Sequence, residues 1–139
     1  MDFTISTRVR RILKGLQNAS LQEDNSKQLC NEEFIGIYHN HDDTGDSILF
    51  KTRGLVISYN GNIEYLEYEA IDCAKMPDNK CNITGFYILS KNKEYWLPVR
   101  GNKNHRHFDA FEIIRLIDRI LEDIKVCRNN GSISEYLCT

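Results

Sequence analysis

The chain has 139 residues, of which 41% are hydrophobic and 27% are charged, and its formal net charge is −2. This composition is typical of a globular domain and argues against a disordered or membrane-embedded chain. No apolar run approaches the roughly 18–20 residues of a membrane-spanning helix, and the N-terminus lacks the apolar centre of a signal peptide. We therefore expect a single cytoplasmic domain over residues 1–139.

The N-terminal segment predicts an amphipathic helix over about residues 6–16, capped by Ser6. Its apolar residues Val9 and Leu13 share one face, and basic residues fill the rest of its surface. Two interpretations stay open: the helix packs on the domain, or its basic surface meets nucleic acid or a partner. The polar residues 18–27 that follow predict a linker. The basic residues are Arg8, Arg10, Arg11 and Lys14.

From about residue 33 to residue 99 the sequence predicts β-strands. Asn60-Gly61 is the strongest hairpin signal, and a two-residue loop there pairs Tyr59 with Asn62. A second hairpin is predicted across residues 90–94, and Pro98 places its last strand at an edge or marks its end. The predicted strands cover residues 34–38, 48–52, 55–59, 63–68, 85–89 and 95–99, with a further short strand near Ile71.

The most clearly signalled element is a long helix over residues 109–126. Asp109 is a good N-cap, and Glu112 three residues later completes an acidic variant of the capping box. Apolar residues recur at helical spacing and form a stripe that needs a sheet to pack against. The stripe consists of Phe111, Ile114, Ile117, Leu121 and Ile124.

This order of elements predicts an α+β fold: a curved antiparallel sheet of about six strands capped by the long C-terminal helix, with an extra N-terminal helix. The segments SILFKTRGLVISYNGNIEYLEYEAI, YILSKNKEYWLPV and DAFEIIRLIDRIL resemble a bacterial pleckstrin-homology-like domain over roughly residues 33–126. The resemblance implies a bent antiparallel sheet closed at one end by the last helix. The main alternative is another α+β fold, with one antiparallel sheet and a helix on one face.

The five cysteines are an odd number and lack Cys-x-x-Cys spacing. This pattern favours free thiols in a reducing compartment over a disulfide framework or a zinc site. We accordingly expect no metal ion or other cofactor. The cysteines are Cys30, Cys73, Cys81, Cys127 and Cys138.

One loop carries the strongest signal for catalysis, because two histidines and two carboxylates lie close together and could bind a divalent metal. These residues are His39, His41, Asp42 and Asp43, with His105 and His107 as further candidates. The chain has no His-Glu-x-x-His helix, no Gly-x-Ser-x-Gly elbow and no Gly-rich phosphate loop. A solvated turn is the commoner origin of such a loop. We therefore expect no enzyme, and a metal-dependent hydrolase remains an alternative.

Acidic residues are concentrated in the middle of the chain. Between residues 31 and 79 there are ten acidic residues and three basic ones, so this stretch carries a charge of −7 and the remainder about +5. Such asymmetry bears on partners and association rather than on fold. Direct nucleic-acid binding is not expected, because the aromatic residues of the strands have acidic rather than basic neighbours.

Together these patterns favour a small binding protein. We expect an immunity protein that neutralises a cognate bacterial toxin of nuclease type by binding and blocking it, because such an inhibitor is acidic where its target is basic. The alternative is a pleckstrin-homology-like regulatory module that binds a peptide or a lipid. The candidate partner-binding residues are Asp42, Asp43 and Asp46 in the loop, Glu64 and Glu67 on the hairpin, and Tyr65 as an apolar anchor. A purely solubilising role for these carboxylates also stays open.

Overall fold

The computed structural model describes residues 4–16, 18–21, 34–40, 43–78, 83–103, 107–131, 133 and 136. The described part is an α+β structure with antiparallel strand pairs, an N-terminal helix and a long C-terminal helix, as predicted. In chain order the elements are α1 (Ile5–Lys14), β1 (Ala19–Leu21), β2 (Phe34–His39), β3 (Ser47–Lys51), β4 (Gly54–Tyr59), β5 (Asn62–Glu67), a short 3-10 turn (Tyr68–Ala70), β6 (Cys73–Lys75), β7 (Gly85–Ser90), β8 (Lys93–Pro98), β9 (Asn102–Lys103), β10 (His107–Phe108) and α2 (Asp109–Asn130).

The strands of the described residues form two main sheets rather than one curved sheet of about six strands. β1 to β5 follow one another in a five-stranded sheet, and β6, β7 and β8 form a three-stranded sheet. β9 and β10 pair with each other. The prediction of one sheet is wrong because the 3-10 turn at Tyr68–Ala70 redirects the chain after β5. The prediction of a linker is wrong at Ala19–Leu21, which pair with β2.

Helix α1 begins earlier than predicted. Thr4 is its N-cap, with a side-chain oxygen that accepts a hydrogen bond from the Thr7 amide at 3.3 Å. Ser6, the predicted cap, lies inside the first turn, where its hydroxyl accepts a hydrogen bond from Arg10 Nε. The apolar face of α1 is buried against the domain, so the packing interpretation of this helix is confirmed.

Both predicted hairpins are present. Tyr59 pairs with Asn62, and Asn60 and Gly61 have φ angles of 54° and 82°, which is the type I′ geometry that Asn-Gly favours. The second hairpin is tighter than predicted: Ser90 pairs with Lys93, leaving only Lys91 and Asn92 in the loop. These two residues also have positive φ angles, 52° and 64°, although neither is glycine.

Helix α2 runs four residues beyond its predicted end, to Asn130, and Gly131 follows with a φ of 72°. It packs against α1, the 3-10 turn, β6 and β7. Ile113, Ile117 and Ile120 are fully buried, whereas Phe111, predicted in the stripe, is 38% exposed. The buried face is rotated away from Phe111 because α2 contacts α1 as well as a sheet. Neither helix in the described part of the chain is long and apolar enough to cross a membrane.

Candidate functional site

Asp46, one of the predicted partner-binding residues, is held in a buried polar network. Its side chain is 4% exposed and lies 2.9 Å from the Arg100 guanidinium, while its other carboxylate oxygen accepts a hydrogen bond from the Asn60 amide at 2.9 Å. The side chain of Asn40 donates to the carbonyl oxygens of Asp46 and Pro98. The side-chain oxygen of Asn40 accepts a hydrogen bond from the Arg100 amide. Asp46 therefore ties its loop to the β4–β5 turn and does not present a free charge.

The rest of the predicted loop is only partly described. Asp43 is exposed and lies three residues before Asp46, whose carboxylate is bonded to the β4–β5 turn. His39 is exposed at the end of β2. Asp42 and His41 lie outside the described residues, as do His105 and the side chain of His107. Among the described residues no group of three histidines, cysteines or carboxylates could hold a metal ion.

The β4–β5 hairpin separates the predicted residues onto two faces. Tyr65 and Glu67 alternate with Ile63 on the outer face, whereas Glu64 is on the inner face beside Leu66. Ile63 is 73% exposed and Tyr65 44% exposed, which are large values for apolar side chains. The Tyr65 ring covers Gly54, where a Cβ would lie 2.9 Å from the ring. We define the hairpin surface as Asp43, Ile63, Tyr65 and Glu67.

Glu64 instead lies in a groove of about 120 Å³ between the β4–β5 hairpin and β8, which we call the edge groove. Residues of both hairpins line it. No local sequence pattern predicts that these residues meet, because β5 and β8 are distant in sequence. The available sequence signal is the aromatic character of Tyr59, Tyr95 and Trp96, since Tyr and Trp are common anchors at interfaces. The lining residues are Ile57, Tyr59, Asn62, Glu64, Glu94, Tyr95 and Trp96.

A cation already lies beside Glu64 and Tyr95, two residues that line the edge groove. Lys93 Nζ is 3.9 Å from a carboxylate oxygen of Glu64 and 4.8 Å from the centroid of the Tyr95 ring. The Lys93 side chain is 62% exposed and that of Glu64 43% exposed. This ion pair therefore contributes no more than about 1 kcal/mol to the free energy of unfolding. Trp96 is held from the other side by an edge-to-face contact with Tyr87, with ring centroids 4.8 Å apart.

The two helices form a basic surface on another part of the molecule. A cavity of about 180 Å³ between α1 and α2 is lined by Arg8, Arg11, Ile12, Glu112, Arg115, Leu116 and Arg119. Arg8 makes an ion pair with the buried Asp123, and Arg115 lies 3.7 Å from Glu112. The predicted basic surface of α1 is therefore continued by α2, even though the apolar face of α1 is buried.

Two buried tyrosines donate hydrogen bonds to carboxylates of α2. The Tyr38 hydroxyl donates to Asp109 at 2.7 Å and accepts from the Gly101 amide. Burial, together with the Asp109 carboxylate, raises the pKa of Tyr38 far above its ordinary value. Tyr136 donates to Asp123 at 2.9 Å, and burial with the charge of Asp123 raises its pKa in the same direction. These networks are structural, and neither opens into the edge groove.

A third cavity, of about 320 Å³, lies between α2 and the segment from the 3-10 turn to β6. Cys73 lines it with an exposed thiol, whereas Cys127 is buried. Burial raises the pKa of Asp118 on its α2 wall.

Comparison of the chain with protein-family models, curated proteins and solved structures finds no match.

Proposed function

We propose that this chain is a small binding protein of the immunity type, which neutralises a cognate bacterial toxin of nuclease type by covering a basic surface of that toxin. The observation that carries the proposal is the hairpin surface. It combines two exposed carboxylates, Asp43 and Glu67, with the exposed apolar side chains of Ile63 and Tyr65. Glu64 and Glu94 add further negative charge in the adjoining edge groove.

This combination suits a protein–protein interface. Interfaces commonly place aromatic and apolar anchors at the centre and polar residues around them. Neighbouring exposed apolar side chains such as Ile63 and Tyr65 need a reason on a monomer surface, and an interface supplies one. A nuclease has to be basic where it holds the phosphate backbone. An acidic inhibitor is therefore attracted to the part of the nuclease that it has to block, which speeds association.

The function is tested by co-expressing this chain with toxin-like reading frames from its own genomic neighbourhood and scoring growth. We expect one toxin to be neutralised and to bind the purified chain directly. If no such reading frame is rescued or bound, the immunity function is wrong.

The surface is tested by a charge-reversal series against that toxin. Asp43→Lys, Glu64→Lys and Glu67→Lys together should slow association about tenfold or more and flatten its dependence on ionic strength. The matched control reverses three exposed carboxylates elsewhere, Asp78, Asp118 and Glu122, with the same change in net charge. Asp46 is left intact, because its reversal would bring two cations together in a buried site. Equal slowing by both triple variants would show that net charge alone acts and that neither the hairpin surface nor Glu64 of the edge groove is the contact.

A pleckstrin-homology-like regulatory module is the second candidate. Two antiparallel sheets followed by the long helix α2 support that resemblance at the level of element order. A module of this kind would bind a peptide or a lipid, and the basic surface of α1 and α2 would favour an anionic one. Sedimentation with anionic and neutral vesicles separates the two functions. Binding to anionic vesicles with no effect on any toxin would favour the module.

A further inference from the structure

The edge groove lies between the inner face of the β4–β5 hairpin and β8, the last strand of the three-stranded sheet. β5 ends the five-stranded sheet and β8 ends the three-stranded sheet, so in the described part of the chain each has a neighbouring strand on one side only. Strand edges carry unpaired amide and carbonyl groups and are ready to pair with another extended segment. The groove is smaller than the roughly 300–1,000 Å³ of small-molecule sites. Its size fits one inserted side chain better than a metabolite.

The register of the β7–β8 hairpin shows which backbone groups of β8 face the groove. A two-residue turn is closed by a hydrogen bond between its flanking residues, here Ser90 and Lys93. Hydrogen-bonded and non-hydrogen-bonded pairs then alternate along an antiparallel ladder, so Tyr95 and Leu97 also point their backbone groups at β7. The amide and carbonyl groups of Glu94 and Trp96 accordingly point away from β7, toward the groove.

Pro98 confirms this register and sets the length of the free edge. Its carbonyl, which belongs to the outward-facing set, accepts a hydrogen bond from the Asn40 side chain at 2.7 Å. Pro98 also has no N–H to offer. Within the part of the chain that the structure describes, no hydrogen bond reaches the outward groups of Glu94 or Trp96. The available edge is therefore the short stretch from Glu94 to Trp96.

The side chains beside this edge select a positive charge. The ammonium of Lys93 lies between the Glu64 carboxylate and the face of the Tyr95 ring, the two kinds of group that attract a cation. Because Lys93 is mostly exposed and its contact with Glu64 is long, it is easily displaced. It shows where a cationic side chain of another molecule would go.

We propose that the edge groove binds an extended basic segment of the protein partner, which adds to β8 as a short antiparallel strand. The segment pairs with the backbone of Glu94 and Trp96, and one arginine or lysine side chain takes the place of the Lys93 ammonium beside Glu64. This inference rests on the proposed function and assigns the part of the partner that is recognised. It differs from general charge attraction because it requires both a free strand edge and one particular carboxylate.

The probe is the acetylated and amidated peptide Thr-Val-Arg-Val-Thr, compared with the same peptide carrying neutral citrulline in place of arginine. Trp96 is the single tryptophan of the chain, so its emission reports occupancy of the groove. We expect saturable binding of the arginine peptide and about tenfold weaker binding of the citrulline peptide. Amide exchange at Glu94 and Trp96 should slow when the arginine peptide binds.

Two matched pairs of variants separate the charge from the edge. Glu64→Gln should weaken binding about five- to tenfold, while Glu67→Gln, on the same strand but the outer face, should change it less than about twofold. Glu94→Pro removes an outward N–H without touching the β7 ladder and should abolish binding, whereas Glu94→Ala should not. Lys93→Met removes the internal competitor and should bind the peptide at least as tightly as the natural protein.

The following results overturn the proposal: no response of Trp96 to millimolar peptide, equal effects of Glu64→Gln and Glu67→Gln, or undiminished binding by Glu94→Pro. If Glu94→Pro fails to fold, the amide exchange of the natural protein decides. A dimer in solution whose Glu94 and Trp96 amides are already protected would assign the edge to a second copy and also overturn it. A toxin that binds the Glu64→Gln and Glu94→Pro variants normally leaves the proposed function intact and excludes the groove, whereas absence of any toxin partner removes the function itself.

Discussion

At the scale of single residues, Asp123 connects three parts of the chain. Its carboxylate accepts hydrogen bonds from Arg8 of α1 at 2.9 Å and from Tyr136 at 2.9 Å, and it is itself part of α2. The site is nearly closed to solvent, since Asp123 is 6% exposed and Tyr136 2% exposed. A buried carboxylate is tolerated only where its charge and lone pairs are matched, and here one cation and one hydroxyl match them.

The buried tyrosines give this protein an alkaline stability limit. Tyr136 and Tyr38 keep their protons in the folded state because burial raises both pKa values above the ordinary value of about 10. Unfolding exposes them, so above about pH 10 the unfolded chain releases protons that the folded chain retains. The contribution is fully present below that pH. Above it the free energy of unfolding should fall by up to about 1.4 kcal/mol per pH unit for each tyrosine.

Urea unfolding from pH 8 to pH 11 measures this slope. The variant Tyr136→Phe should lose about half of it while Arg8 still neutralises Asp123. Tyr59→Phe is the matched control, because Tyr59 is 40% exposed whereas Tyr136 is 2% exposed. An unchanged slope in the Tyr136→Phe variant would mean that Tyr136 is not the titrating group.

At the scale of elements, the two hairpins solve the same geometric problem with different residues. Both turns need positive φ angles at two positions. Asn60-Gly61 adopts them readily, whereas a residue such as Lys91 adopts them at a cost of about 1 kcal/mol. Changing Lys91-Asn92 to Asn-Gly should therefore raise stability by about 1 kcal/mol, which corresponds to an increase in Tm of about 3 °C.

The reciprocal exchange is the control. Asn60→Lys with Gly61→Asn should lower stability by a similar amount, because it places the less suitable pair in the first turn. Thermal unfolding of both double variants gives the comparison. If the second hairpin is not stabilised, then interactions made by the Lys91 side chain outweigh its backbone strain.

The elements differ in how much of them the sequence could predict. The Asn60-Gly61 hairpin and most of α2 follow from local patterns. The predicted pairing of Tyr59 with Asn62 and the predicted start of α2 at Asp109 are both confirmed. The short strand β1 was missed because it is stabilised by pairing with β2 rather than by its own polar sequence. The role of Asp46 was missed for the same reason, since Arg100 and Asn40 meet it only in the folded chain. Non-local contacts also create the edge groove.

At the scale of the whole molecule, the described chain has one core that both helices and both sheets share. Ile5 of α1, Phe50 of the first sheet, Phe86 of the second sheet and Ile117 of α2 belong to one cluster of buried side chains. Charge is divided differently: carboxylates lie on the β4–β5 hairpin, and four arginines line the cavity between the two helices. The described chain thus has one hydrophobic core but charges of opposite sign on different parts of its surface. This distribution would orient it before contact with a charged partner.

The shared core predicts that unfolding is all-or-none. Ile117→Asp buries an unpaired charge where Ile117 is now fully enclosed, and it should unfold the entire chain. Amide spectra should lose the dispersed signals of both sheets together. Ile117→Val, a smaller change at the same position, should remain folded with a loss of about 1 kcal/mol. Survival of either sheet in the aspartate variant would show that the two sheets fold separately.

The ion pair between Arg8 and Asp123 also has a consequence for the newly made chain. These residues are 115 positions apart, and the ribosome needs roughly 6 to 23 s to synthesise that stretch. During this interval Ile5, Val9 and Leu13 have left the ribosome but α2, against which their helix packs, does not yet exist. The apolar stripe of α1 therefore stays exposed to water until α2 has been synthesised, and during that interval a chaperone can bind it.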